Sequence, residues 1–93
     1  MDIALQTQVG AQVEFSLPAY ATAGYRWHVV NTPPGVKVAE QPSRPTADAP
    51  GGATEQVFKV SPEQAGEFEI ELALRRPWED RATESARVRV TAR

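Results

Sequence analysis

Residues 67–74 read Glu67-Phe68-Glu69-Ile70-Glu71-Leu72-Ala73-Leu74. Apolar side chains recur at every second position, and glutamates fill three of the four places between them. A chain with this period turns one face to a core and the other to water, which is the signature of a strand in an antiparallel sheet. The same period appears on either side. Val13, Phe15 and Leu17 alternate with Gln12, Glu14 and Ser16, and Ala86, Val88 and Val90 alternate with Arg87, Arg89 and Thr91. Tyr25, Trp27 and Val29 form a shorter inward set, with Trp27 expected at the centre of the core. Val57 to Val60 gives another short strand, Ile3 and Leu5 an opening one, and Val36 and Val38 a minor one.

No segment has a convincing helical period. Ser61 to Gln64 is the one place for a single helical turn, with Ser61 as cap and Pro62 at the first position. Breakers fall at Gly10, at Pro18 with Gly24, at Pro33-Pro34-Gly35, from Pro42 to Gly52, at Gly66 and at Pro77. About seven short strands between such breaks predict an all-β fold: an immunoglobulin-like antiparallel β-sandwich with Greek-key connections.

With 93 residues, the chain is expected to form a single domain, residues 1–93. A domain of this size buries roughly 60–65% of the surface its unfolded chain exposes, enough for one core. The formal net charge of −2 lacks the basic footprint of a nucleic-acid binder. The absence of cysteine excludes disulfides, thiol catalysis and cysteine-held metal, and the lone His28 excludes a histidine-rich metal site. No cofactor is expected. No apolar run approaches the roughly 18 residues of a membrane span, and no basic-then-apolar leader opens the chain. The expectation is a cytoplasmic protein as the chain stands, or a periplasmic or secreted one where a leader was removed.

Three connections carry more than connectors need. Leu17 to Tyr25 is small and weakly polar, with Thr22 its one short hydroxyl and Gly24 placed for a backbone angle other residues avoid. Gln41 to Thr54 has no apolar period and reads as one long loop, with Gly51-Gly52 able to approach another surface closely. It lacks the lysine and following helix of a phosphate cradle. In Arg75-Arg76-Pro77-Trp78-Glu79-Asp80-Arg81, Pro77 ends the long strand and leaves Trp78 outside the alternating set. Two readings of Trp78 are open: a binding anchor, since tryptophan and arginine dominate hot spots, or a rim residue on which Arg76 stacks. In a Greek-key sandwich these three connections meet at one end.

An enzyme fits poorly. His28 alternates outward beside Trp27, without a nucleophile at hand. Glu79, Asp80 and Glu84 lie among Arg75, Arg76 and Arg81 as surface ion pairs, and Glu67, Glu69 and Glu71 form a solvent face opposite Lys59 or Arg87 and Arg89. A β-sandwich adhesion or carbohydrate-binding module using Tyr20 and Trp78 is the alternative binding reading. The loops hold few Asn, Gln or Asp side chains to clasp hydroxyls, and a glycan screen separates the two. A cystatin is excluded, because Gln8-Val9-Gly10 lacks the spacing of Gln-x-Val-x-Gly and no long helix is present.

The order of a threonine loop ending in Gly24-Tyr25-Arg26-Trp27, a glycine pair before a strand with Phe58, Gly66, and then Arg76-Pro77-Trp78 resembles the chagasin family of cysteine-protease inhibitors. The resemblance runs from Gly10 to the final strand. The family pattern Asn-Pro-Thr-Thr-Gly-aromatic falls on Tyr20-Ala21-Thr22-Ala23-Gly24-Tyr25, keeping the first Thr and the Gly. Its Gly-x-Gly-Gly falls on Ala49-Pro50-Gly51-Gly52 or on Pro50-Gly51-Gly52-Ala53, without the leading glycine. The resemblance implies non-covalent occlusion of a papain-like cysteine protease by a protein that is monomeric when free. Tyr20, Ala21, Thr22, Ala23 and Gly24 would sit over the catalytic cysteine. Pro50, Gly51, Gly52, Ala53 and Thr54 would lie along the non-primed side, and Arg76, Pro77 and Trp78 along the primed side.

Overall fold

The computed structural model describes residues 1–20, 24–45 and 53–93. Seven strands follow in order: β1 (Asp2–Thr7), β2 (Val13–Tyr20), β3 (Arg26–Asn31), β4 (Val36–Pro45), β5 (Ala53–Pro62), β6 (Gly66–Arg75) and β7 (Glu84–Ala92). They form a four-stranded sheet in the order β1-β7-β6-β3 and a three-stranded sheet in the order β2-β5-β4. All pairings are antiparallel except β1 with β7, which run parallel. The chain crosses between the sheets from β1 to β2, β2 to β3, β3 to β4 and β5 to β6.

The alternation of the sequence becomes the core. Phe68, Ile70, Leu72 and Leu74 of β6 and Ala86, Val88 and Val90 of β7 pack with Phe15 and Leu17 of β2, Val36 of β4, and Phe58 and Val60 of β5. The Phe15 and Phe58 rings stack with centroids 5.2 Å apart. Trp27 fills the centre as expected, only 2% exposed. On the outer face, register sets Glu69 opposite Arg89 and Glu71 opposite Arg87. Lys59 belongs to the other sheet, opposite Glu14 and Ala39.

Four local expectations are corrected. Pro18 does not break its strand; β2 runs through it to Tyr20. β2 is an edge strand, where a missing N–H on the open side costs no ladder bond. The strand at Val36 is not minor. It extends ten residues to Pro45, passing Pro42 where the β4–β5 register shifts, again on an edge. Gln41 to Thr54 is therefore not one loop, since both of its ends are paired strand. Ser61 to Gln64 forms no helical turn. Ser61 and Pro62 complete β5 opposite Lys37 and Val36, and the Glu63 N–H donates to the Gly35 carbonyl.

One buried polar side chain ties the sheets together. β3 lies at the edge of its sheet and is only six residues long. On its open side, the Trp27 N–H donates to Gln56 Oε1 at 2.6 Å and the Trp27 carbonyl accepts from Gln56 Nε2 at 3.2 Å. The amide of a residue on β5 thus takes the place of a neighbouring strand's peptide. Gln56 is 0% exposed, and its remaining donor reaches Glu40 Oε1 on β4 at 3.4 Å. Glu40 in turn holds Arg26 at 2.7 Å, and the Trp27 indole N–H donates to the Pro18 carbonyl at 2.7 Å. Every hydrogen-bonding atom of the buried amide has a partner, as burial in a core demands.

Gln56→Leu should strand a buried N–H and a buried C=O on Trp27, at about 1–3 kcal/mol for each such group. Urea unfolding of this variant is expected to show a loss of about 2–4 kcal/mol. A loss below about 1 kcal/mol would mean that water or a repacked side chain serves Trp27 equally well.

Candidate functional site

Strand register brings the roots of the three connections to one end of the sandwich. In the three-stranded sheet Tyr20 pairs with Ala53 and Pro45 with Thr54. In the four-stranded sheet Arg26 pairs with Arg75 and Leu74 with Glu84. The Trp27–Gln56 and Arg26–Glu40 contacts join the two sheets at this same end. The connections 21–25, 46–52 and 76–83 leave from there. The turns around Gly10, Gly35 and Glu63 lie at the far end, held by Gly10 N–H to the Pro62 carbonyl and Glu63 N–H to the Gly35 carbonyl.

Ala21, Thr22, Ala23, Pro50, Gly51 and Gly52 lie outside the described residues. Tyr20 and Ala53 are the paired last and first residues of β2 and β5, and Thr54 is a half-buried residue of β5. They belong to the strand ends that present the loops. Gly24, Arg76, Pro77 and Trp78 come together at the tip.

The 76–79 connection is a tight turn whose shape the sequence dictates. The Glu79 N–H donates to the Arg76 carbonyl at 3.1 Å, with Pro77 at the second position where its fixed φ fits. Glu79 returns the contact: its Oε1 accepts from the Arg76 N–H at 3.3 Å, and its carbonyl accepts from Arg75 Nη1 at 3.3 Å. The Thr83 N–H donates to the Leu74 carbonyl at 2.7 Å and closes the base. Trp78 stands at the apex, 70% exposed.

The indole is nonetheless held from the side. Gly24 has φ +83°, and a Cβ built there would meet Trp78 Cη2 at 3.2 Å and Arg76 Cγ at 3.9 Å. The backbone angle favours glycine, and a Cβ there would press the ring outward by a few tenths of an ångström. The Arg76 guanidinium carbon lies 4.4 Å from the Tyr25 ring centroid and 5.7 Å from that of Trp78. Arg76 Nη2 also donates to the Tyr25 hydroxyl at 2.9 Å. Its Nε is screened from solvent, and the nearest acid oxygen, Glu79 Oε1, is 3.6 Å away. That is an ion-pair distance but too long for a hydrogen bond. Arg76 thus lies beside the indole, within cation–π range, as the rim reading expects, while most of the ring faces out.

Three residues essential to this arrangement escaped the sequence reading. Tyr25 was expected in the inward set, and it is half-buried with its ring turned to Arg76. Glu79 was expected as an ordinary surface ion pair, and it also holds the turn. Gln56 gave no signal, because a glutamine between Glu55 and Val57 does not announce a backbone partner on another sheet. His28 sits on β3 opposite Ala73, half-buried, with Nε2 screened and unpartnered.

The chain as a whole is similar to known proteins. The model of the chagasin family peptidase inhibitor I42 matches residues 6–92. Among solved structures, the solution structure of amebosin is 26% identical, with a TM-score of 0.74 over 99% of this chain and 88% of that one. The cysteine protease inhibitor EhICP2 from Entamoeba histolytica is 18% identical, with a TM-score of 0.74 over 99% and 96% of the two chains. PbICP-C, solved in complex with falcipain-2, is 15% identical, with a TM-score of 0.76 over 99% and 88%. The last two likenesses are of fold. No match is found among curated proteins. With the family model spanning nearly the whole chain, the protein belongs to the chagasin family of peptidase inhibitors.

Proposed function

We propose that this chain inhibits papain-like cysteine proteases by plugging the active-site cleft with the end of the sandwich that carries the three connections. The observation that carries this reading is the exposed Trp78 indole on a braced turn, at the end where the roots of all three connections converge. A tryptophan held in place with most of its ring in water is poised to bury that surface against a partner at little entropic cost. The absence of cysteine leaves no route to a mixed disulfide with the target thiol, so blockade is by shape and water exclusion. EhICP2 is itself a cysteine protease inhibitor, and PbICP-C was solved bound to falcipain-2, so the same fold serves this purpose elsewhere.

In this reading the segment Tyr20-Ala21-Thr22-Ala23-Gly24 covers the catalytic cysteine. Pro50, Gly51, Gly52, Ala53 and Thr54 lie along the non-primed subsites, and Arg76, Pro77 and Trp78 along the primed ones. Interfaces of this kind bury about 800 Å² from each partner, an area that three loop tips can supply. A free inhibitor of this design works as a monomer, since self-association through the same end would occupy it.

Titration of papain and of a cathepsin-type protease, following residual activity, tests the reading. Trp78→Ala should weaken inhibition at least about 30-fold, equivalent to about 2 kcal/mol or more. Its melting temperature should stay close to wild type because the ring is largely outside the core. Equal affinity of wild type and variant would remove Trp78 as an anchor. Ala23→Thr restores the second threonine of the family pattern and should tighten inhibition several-fold, at about 1 kcal/mol for a hydroxyl hydrogen bond. An unchanged or weaker inhibition constant would mean that this loop docks in another way.

A further inference from the structure

Tyr25 lies next to the first loop and touches the third, through an arginine. Its ring packs beneath the Arg76 guanidinium at 4.4 Å, its hydroxyl accepts from Arg76 Nη2 at 2.9 Å, and the Trp78 ring centroid lies 5.7 Å from the same guanidinium carbon. Tyr25 itself is anchored, being half-buried and packed against the core two residues before Trp27, whose main chain Gln56 holds. The preceding Gly24 lies flush with the indole. Without Arg76, the Trp78 turn would be tied to the body mainly by the flanks of β6 and β7.

We propose that Tyr25 is a positioning residue for inhibition: through Arg76 it clamps the Trp78 indole to Gly24 and Tyr25 at the root of the first loop, so that the Trp78 turn docks as one body with the sandwich end that carries it. This rests on the protease-inhibitor reading for its effect on affinity, but the clamp is a property of the free protein. A guanidinium within cation–π reach of both rings restricts the indole's rotation before any target arrives. Ordering completed in advance is not lost again on binding. The encounter rate is set by diffusion and charge, so the benefit falls on the dissociation rate. Arg76 is suited to this by its planarity. A lysine keeps the charge but has no planar guanidinium to set against two rings and cannot donate from a fixed fork.

The test compares wild type with Tyr25→Leu, Tyr25→Phe and Arg76→Lys in two measurements. The first, without protease, is the ¹⁵N relaxation of the Trp78 indole N–H. It should report a ring as ordered as the backbone in wild type and in Tyr25→Phe, which keeps the stacked ring and loses only the 2.9 Å hydrogen bond. In Tyr25→Leu and Arg76→Lys the indole should become mobile. The core Trp27 indole, bonded to the Pro18 carbonyl, serves as an internal control and should stay ordered in all four proteins. The second measurement is binding kinetics on immobilised papain. Tyr25→Leu and Arg76→Lys should each dissociate about 10-fold faster, with association within about twofold of wild type and with less than additive effects when combined. Tyr25→Phe should dissociate within about threefold of wild type.

An indole that stays ordered in Tyr25→Leu and Arg76→Lys would overturn the clamp. A mobile indole with unchanged dissociation would overturn its role in inhibition. Loss of order at Trp27 as well would mean that Tyr25→Leu disturbs the core, and Arg76→Lys, a half-exposed site, then decides. Were wild type to bind no papain-like protease at all, the function proposed above would fail, while the relaxation measurement would still decide for or against the clamp.

Discussion

A single carboxamide does the work of a missing strand. β3 ends its sheet, is six residues long, and has no strand beyond it among the described residues. Gln56, reaching across from β5, gives and receives the two hydrogen bonds that such a neighbour would supply to Trp27. Apolar side chains register two packed sheets by shape alone. A buried amide bonded to main chain adds a directional constraint, because any shift leaves polar atoms unpaired in a dry core. Sheet-to-sheet registration at the loop-bearing end therefore rests on this contact more than on any single apolar one. The Trp27 indole bond to the Pro18 carbonyl and the Arg26–Glu40 pair reinforce it from either side.

That registration is what the loop end requires. β2, β4 and β5 belong to one sheet and β3, β6 and β7 to the other, so loops from both must be brought to a common level. The contact chain runs from Pro18 through Trp27 and Gln56 to Glu40 and Arg26, touching β2, β3, β4 and β5. From Trp27 it is two residues to Tyr25, and from there Arg76 carries the linkage to the Trp78 turn on β6–β7. These contacts fall at the end from which loops of both sheets leave. The solvent faces, such as the opposed Glu69 and Arg89 row, are ordinary charge-lined strand surfaces.

Much of this was legible from residue types. A period of two over Glu67–Leu74 and Ser85–Thr91 gave the core strands and their faces, because burial on one side leaves no other solution. Gly24 and Pro77 marked the turns, through conformations other residues resist. The resemblance in Gly24-Tyr25-Arg26-Trp27 and Arg76-Pro77-Trp78 pointed to the family. What failed had a common cause: the neighbours of a strand are not written in the strand. Pro18 and Pro42 read as breakers, and whether a proline breaks a ladder depends on whether its strand lies at an edge. Gln56 drew no reading at all, because its partner stands 29 residues away on the other sheet. Tyr25 read as a core residue, and its second task depends on an arginine 51 positions later.

The proposed inhibition requires one end of the sandwich to be the docking surface. The direct measurement is an amide NMR titration of the ¹⁵N-labelled protein with papain whose catalytic cysteine has been replaced by serine. Shifts and broadening should concentrate at residues 20–25, 46–54 and 76–81, leaving the turns at 8–12, 32–35 and 63–66 unmoved. Perturbations centred on those far turns, or on the outer row of Glu69, Arg87 and Arg89, would contradict it.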